Sequence, residues 1–346
     1  MDHALAWTLG VGVALAVVAI VVALCCVLLR RRRPCAQWPV VPPKTSLVSS
    51  TFALKTMTTT AGEVRQYWLS MPTTCSSTGL APVVFYFHGT TKNPPSPSTM
   101  FDSLADSHVL VAPVGLTNAD GAYSWNVKDG VDCNSQADDI AFVANLLDSL
   151  ASAGGADMRR VVATGFSVGS AFVARLSATP TLSAKFLGFA PLSGRVGSTA
   201  SGSTALESLT SNASVFATVG ALDKLIPWKG GPSSMDCYDL ASHYEYLAAC
   251  VENLAGPSMA LSLTEAAHEA CVEGIATSKT DYCETQWADG ARKVRGVVFG
   301  GTAHTPVSDS VSTWLAAQPG APANRQVAAV QYLLEWLLRR SARQLS

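Results

Sequence analysis

The chain has 346 residues, 48% of them hydrophobic and 14% charged, with a formal net charge of −1. That balance supports a large buried core, excludes a disordered chain, and provides no general basic field for nucleic acid. Neither a zinc-ligand spacing nor a Walker-type phosphate loop occurs.

The N-terminus has its own composition. Residues 4–29 carry no charge and are dominated by Val, Ala and Leu. Roughly 20 apolar residues cross the hydrocarbon core of a bilayer as a helix, so this run reads as a membrane anchor. Arg30, Arg31, Arg32 and Arg33 follow at once. A cleaved signal peptide would have a basic start, a shorter apolar core and small residues at its cleavage site. Here the start is Met1-Asp2-His3 and the apolar run ends in Cys25-Cys26-Val27-Leu28-Leu29. Residues 1–33 are therefore assigned to a single-pass transmembrane segment with a basic flank.

Two signals oppose each other on orientation. The four arginines favour a cytoplasmic C-terminal domain. Cys75, Cys133, Cys237, Cys250, Cys271 and Cys283 form an even set, as disulfides in an oxidising compartment would. Six buried free thiols are the other reading of those cysteines. Asn212-Ala213-Ser214 is a glycosylation sequon. The downstream domain is expected on the extracellular or lumenal side.

Residues 34–50 hold Pro39, Pro42 and Pro43 without a helical period and read as a linker. From residue 51 to 346 strand-like and helix-like stretches alternate, which indicates one α/β domain with a mostly parallel sheet. Thr51 to Thr58 and Val64 to Met71 open it as a strand pair turning at Ala61-Gly62. Val83 to Phe87 is a continuous apolar run, as expected of a strand buried on both faces. It leads into His88-Gly89-Thr90-Thr91 and a proline-rich loop. Phe101 to Ser107 is read as a helix and Val109 to Ala112 as a strand. Asp138 to Ser152 places Ile140, Val143, Leu146, Leu147 and Leu150 at helical spacing. Arg160 to Thr164 is a strand, Ser170 to Ala178 a helix, Val215 to Val219 and Val294 to Phe299 strands, and Val327 to Arg340 a final helix.

Gly165-Phe166-Ser167-Val168-Gly169 joins the strand at Arg160 to the helix that follows. The pentapeptide alone is weak, since chance gives roughly 0.2 matches in a chain of this composition. Its setting is what counts: a serine at a sharp strand-to-helix turn, flanked by glycines, stands exposed as a nucleophile. A serine hydroxyl needs a base to attack near neutral pH, and the base needs an orienting acid. In such folds they follow in the order Ser, Asp, His. Among the six histidines, His304 follows the strand Val297-Val298-Phe299 and the flexible pair Gly300-Gly301. Asp223 follows the strand Val215 to Val219 and precedes Ile226-Pro227. Asp236, Asp239 and Asp281 compete for that role but lack a preceding strand.

The negative oxygen of a tetrahedral intermediate requires preorganised donors. The backbone N–H of Val168 is one, and Thr90, in the loop after an early strand, is assigned as the second. His88 is expected to support that loop by hydrogen bonding. His88, Trp125 and Trp228 are the candidate substrate-binding residues. The paired Asp138-Asp139 at a helix start reads as capping and dipole compensation rather than a metal site.

These motifs, spaced in order along the chain, resemble the LpqC-like feruloyl esterases and polyhydroxybutyrate depolymerases of carbohydrate esterase family 1. The resemblance runs from about Gly62 to the C-terminus. It rests on Gly62 to Pro72, His88-Gly89, Ala112-Pro113-Val114-Gly115, Ser124-Trp125-Asn126, Asp138 to Phe142 and the elbow. Gly220 to Pro227 resembles the acid loop and Gly300 to His304 the histidine loop. It implies the α/β-hydrolase fold and hydrolysis of feruloyl or acetyl esters of polysaccharide, or of polyester, without metal or organic cofactor. Ser170, Thr90 and Thr305-Pro306 depart from the family pattern at positions bordering the pocket. Two alternatives remain at this point. One is an esterase for lipid or small acyl esters beside the membrane. The other is a membrane-tethered binding protein that keeps the fold without turnover.

Overall fold

A computed structural model of the chain describes residues 52–72, 79–97, 101, 104–127, 137–194, 213–232, 240–255, 259–289, 292–305, 314–318 and 328–338. The expected anchor, the linker, the sequon asparagine and Cys75, Cys133 and Cys237 lie outside the described residues. Among the described residues no helix is long and apolar enough to cross a membrane.

The strands are β1 (Ala53–Thr58), β2 (Val64–Ser70), β3 (Ala81–Phe87), β4 (Val109–Pro113), β5 (Leu116–Thr117), β6 (Tyr123–Ser124), β7 (Ala156–Phe166), β8 (Gly188–Leu192), β9 (Ser214–Gly220), β10 (Tyr282–Ala288) and β11 (Lys293–Phe299). The helices are α1 (Asp139–Ala153), α2 (Val168–Ser177), α3 (Pro180–Ser183), α4 (His243–Ala255), α5 (Glu265–Ile275) and α6 (Ala328–Leu338). Among the described residues nine strands form one sheet in the order β1-β2-β4-β3-β7-β8-β9-β11-β10, and β5 pairs with β6 outside it. From β4 to β11 every neighbour is parallel. The antiparallel strands stand at the margins, β1 and β2 on one side and β10 on the other.

The continuous apolar run in β3 is explained by burial on both faces. Side chains alternate along a strand, so Phe85 and Phe87 join the core under α1 and α2 with Phe142, Leu146 and Phe172. Val84 points the other way, into a second core with Trp314, Leu334 and Leu337 of α6. A third layer packs Tyr246, Leu247 and Val251 of α4 on Val215, Ala217 and Val294.

Three expectations are corrected. The strand expected at Arg160 to Thr164 is the middle of β7, which runs from Ala156 to Phe166, and the helix after it begins at Val168 rather than Ser170. Strands β8 and β10 were not expected. Pro191 lies inside β8, and proline lacks the N–H a central strand needs; the pairing with β9 runs through Gly188, Phe189 and Leu192 and omits it. The cysteines do not all pair: Cys271 is bonded to Cys283, tying α5 to β10, whereas Cys250 is a free thiol inside the core. Burial pushes the Cys250 thiol up to about 12, so it acts as a small apolar side chain.

Candidate active site

Strand β7 delivers Ser167 to the turn that opens α2. Its φ of 57° and ψ of −125° lie in a region that a residue with a side chain rarely adopts, and such strain costs about 1–3 kcal/mol and concentrates at functional sites. The surroundings enforce it. Ser167 N–H donates to the Leu192 carbonyl at 3.1 Å, and its own carbonyl accepts from Ser170 and Ala171. Gly169 runs so close to the Phe87 and His88 carbonyls that any β-carbon there would collide with them. A serine at an N-cap ordinarily accepts a hydrogen bond from the first helical turn; Ser167 makes no such bond. Its hydroxyl is left for another partner.

The loop after β3 lies directly on this turn. A β-carbon built on Gly89 would sit 3.2 Å from the Ser167 Cβ. The loop is fixed at both ends. Thr91 pairs with Tyr123 through hydrogen bonds of 3.2 and 2.8 Å. At the other end the Gly115 N–H donates to His88 Nε2 at 3.0 Å. That nitrogen is therefore unprotonated, so Nδ1 carries the proton and donates to the Gly89 carbonyl at 2.7 Å. In a trans peptide the C=O and the following N–H point in opposite directions. Holding the Gly89 carbonyl thereby sets the direction of the Thr90 N–H. Burial lowers the His88 pKa from 6.5 to about 4, which keeps the ring neutral and this pattern intact. The Thr90 hydroxyl lies 3.5 Å from that of Ser124.

The loops after β9 and β11 meet each other. Ala221 N–H donates to Phe299 O and Leu222 N–H to Thr302 O, both at 2.9 Å. This brings the Asp223 Oδ2 within 2.8 Å of His304 Nδ1. The other carboxylate oxygen accepts from the Leu225 and Ile226 N–H groups at 3.0 and 2.8 Å. Asp223 is buried, whereas His304 is half-buried. The His304 ring lies tilted against that of Phe166, the residue before Ser167, with centroids 4.8 Å apart. Val168 is the first residue of α2, and a first-turn N–H has no partner inside its helix.

The loop carrying Thr90 thus lies on the elbow at Ser167, and the Asp223–His304 pair reaches the same elbow through the contact of His304 with Phe166. None of the three candidate binding residues lines the space beside Ser167. Trp125 is fully buried, stacked on Phe172 at 5.2 Å, and its Nε1–H donates to the His88 carbonyl at 2.8 Å. The expectation that its indole lines a substrate pocket is corrected: it is core. His88 has both ring nitrogens engaged by backbone and holds the loop instead. Trp228 is half-buried and lines a separate cleft of about 170 Å³ with Tyr244, His268, Glu265 and Glu269. Sequence reading missed Phe166, whose aromatic ring inside the elbow itself was the available signal. It also missed Leu222, beside Asp223, which is 43% exposed.

The mostly parallel sheet, its flanking helices and the serine at the strand-to-helix turn are consistent with the α/β-hydrolase fold. No family model matches the chain, and no curated protein matches it. Among solved structures it is similar to an acetyl xylan esterase from Aspergillus awamori. The identity is 18%, the match covers 74% of this chain and 95% of that one, and the TM-score is 0.49. A thermostable esterase is similar at 13% identity, covering 60% of this chain and 54% of that one, with a TM-score of 0.42. A puromycin hydrolase is similar at 14% identity, covering 89% of this chain and 40% of that one, with a TM-score of 0.47. The match thus spans about half or less of those last two proteins.

Proposed function

We propose that the protein is a serine carboxylic-ester hydrolase that works through an acyl-enzyme. The observation that carries this reading is the pairing of two features. A strained N-cap serine makes no side-chain cap bond to its helix, and a histidine in tilted ring contact with the preceding residue is held by a buried carboxylate.

In this reading Ser167 Oγ attacks the ester carbonyl carbon while His304 Nε2 takes the hydroxyl proton. The carbonyl electron pair moves to oxygen, which the Val168 and Thr90 N–H groups receive. His304 Nδ1–H donates to Asp223, which holds the ring in the required tautomer. Collapse of the intermediate expels the alcohol, which leaves with the proton from His304. Water, deprotonated by the same imidazole, then attacks the acyl-serine; collapse frees the acid and returns the proton to Ser167. No metal or organic cofactor takes part in these steps.

The proposed substrates are feruloyl or acetyl esters of polysaccharide, or a polyhydroxyalkanoate-type polyester. The ordered motifs from Gly62 to His304 support this. Residues 4–29 are proposed to anchor the domain to a membrane, with the domain on the extracellular or lumenal side. The Cys271–Cys283 disulfide supports an oxidising compartment. Protease protection of sealed vesicles tests that side directly: a domain digested without detergent in inside-out vesicles contradicts it.

The deciding measurement is hydrolysis of p-nitrophenyl acetate, p-nitrophenyl butyrate and methyl ferulate by the full-length chain beside Ser167→Ala. Activity abolished in a variant of unchanged circular dichroism is the expected result. A folded wild type that hydrolyses none of these and is not labelled by a fluorophosphonate at Ser167 would establish the non-catalytic binding protein instead. Preference for butyrate over ferulate would move the substrate class to lipid or small acyl esters.

A further inference from the structure

Arg65 on β2 and Asp139 at the start of α1 form an ion pair whose side chains are both fully buried, with Nη2 and Oδ1 2.6 Å apart. Two charges taken out of water are costly to keep, and such a pair is weak evidence for stability by itself. What sets this one apart is where its other bonds lead. The second Asp139 oxygen accepts from the Asn126 N–H at 2.7 Å. Asn126 is further held by Arg175 of α2, whose Nη1 donates to the Asn126 carbonyl at 2.8 Å and to its Oδ1 at 2.7 Å. The Asn126 amide donates to the Ala137 carbonyl at 3.1 Å. The backbone of residue 126 is thus held from two sides, its N–H by Asp139 of α1 and its carbonyl by Arg175 of α2, while Arg65 of β2 holds the Asp139 carboxylate.

The residue before it is Trp125. Its ring is wedged between Phe172 and Phe87, and its Nε1–H holds the His88 carbonyl. That carbonyl belongs to the first peptide of the loop lying on Ser167. The His88 ring holds the second, through the Gly89 carbonyl. Both peptide planes before the Thr90 N–H are therefore oriented by side-chain donors, and the donor for the first depends on Asn126.

We propose that the buried Arg65–Asp139 pair is a positioning device for the oxyanion loop, acting through Asn126 and the Trp125 indole on the His88 carbonyl. This rests on the serine-hydrolase reading above. Asp139 and Trp125 are positioning residues in this scheme, since neither reaches the reacting atoms. Asp138, one residue earlier, carries the ordinary cap by accepting from Ala141 N–H. The neighbouring aspartates therefore have different tasks.

The test uses the full-length chain and two variants. Trp125→Phe keeps an aromatic ring in the stack and removes the N–H donor together with part of the ring volume, whose cost the melting temperature reports. Asp139→Asn keeps an acceptor of the same size and removes the charge. For Trp125→Phe, kcat on p-nitrophenyl acetate is expected to fall about tenfold, as for a lost hydrogen bond, with KM within about twofold. A trifluoromethyl ketone adds Ser167 Oγ to its carbonyl and places an oxyanion in the same donors. Its inhibition constant is expected to rise by the factor that kcat/KM falls, because the lost interaction belongs to the transition state. A merely structural role would lower the melting temperature and leave that constant unchanged. Asp139→Asn is expected to move both quantities in the same direction, and the double variant to lose less than the product of the singles, since both act along one path. If Asp139→Asn does not fold, Trp125→Phe alone decides. An active wild type whose Trp125→Phe variant keeps both kcat and the inhibition constant overturns the positioning role and leaves the hydrolase reading standing. A wild type inert to ester and ketone overturns both.

Discussion

His304 Nδ1 lies 2.8 Å from Asp223 Oδ2, while Asp223 Oδ1 accepts from the backbone of Leu225 and Ile226. The carboxylate is thus fixed on one side by its own loop and presents the other to the imidazole. Asp223→Asn retains the shape but turns an amide donor or a weaker acceptor towards Nδ1. The histidine then favours the tautomer with its proton on Nε2, where it cannot act as base. By analogy with other serine triads, kcat is expected to fall about 10⁴-fold. The melting temperature should stay within a few degrees. Steady-state rates on p-nitrophenyl acetate beside calorimetry check this, and a loss below tenfold would remove Asp223 from the triad.

His88 offers a sharper distinction, because two amide side chains each mimic one of its nitrogens. Asn in that position can donate as Nδ1 does, to the Gly89 carbonyl. Gln reaches the position of Nε2 and can accept from Gly115 N–H. If the Gly89 bond orients the Thr90 N–H, His88→Asn keeps most of kcat, whereas His88→Gln loses about 10²-fold, the range of one oxyanion donor. Equal losses in the two variants would mean that the tautomer pattern does not reach the donor.

The contrast between these residues shows what could be read from sequence. The elbow and the two loops proposed to carry the acid and the base are local: each follows a strand by a few residues, so strand–turn periodicity singles out Ser167, Asp223 and His304 as candidates. Trp125 and Asp139 depend on contacts far along the chain. Asp139 is 74 positions from its partner Arg65, and two aspartates at a helix start look alike until one is found to be buried. Trp125 resembled a binding residue because aromatics serve both roles. Its full burial, its stacking on Phe172 and the bond from its indole to the His88 carbonyl assign it to the core. β8 escaped notice because Pro191 interrupts the apolar run, and sequence does not show that pairing to β9 passes over it.

The disulfide should matter to stability and not to chemistry. Cys271 and Cys283 are 12 positions apart and join α5 to the edge strand β10. Closing a loop of that size in the unfolded chain contributes about 3 kcal/mol in the entropic account. Cys271→Ala with Cys283→Ala is expected to lower the unfolding free energy by about that amount and to leave kcat/KM within twofold at 25 °C. Guanidinium melts of the variant and of reduced wild type should coincide. A selective loss of kcat would tie α5 to the catalytic loops instead.

Stability should fall as pH drops below about 6.5, because three buried histidines resist protonation in the folded protein. Burial lowers the pKa of His88 and of His268 from 6.5 to about 4, and it lowers that of His108 as well. In the unfolded chain these rings take protons as pH drops through 6.5, whereas in the folded protein they stay neutral. The unfolded state therefore binds more protons, and stability decreases as pH falls from about 6.5 towards 4, levelling off below the folded values. Each histidine that stays neutral contributes a slope of about 1.4 kcal/mol per pH unit where the unfolded ring is fully protonated. Urea unfolding at pH 7, 6 and 5 measures it. His268→Phe, which keeps an aromatic ring near Trp228 and Tyr244, is expected to reduce the slope by one proton's worth while kcat at pH 7 is unchanged. An unaltered slope would mean that His268 titrates in the folded protein much as it does in the unfolded chain.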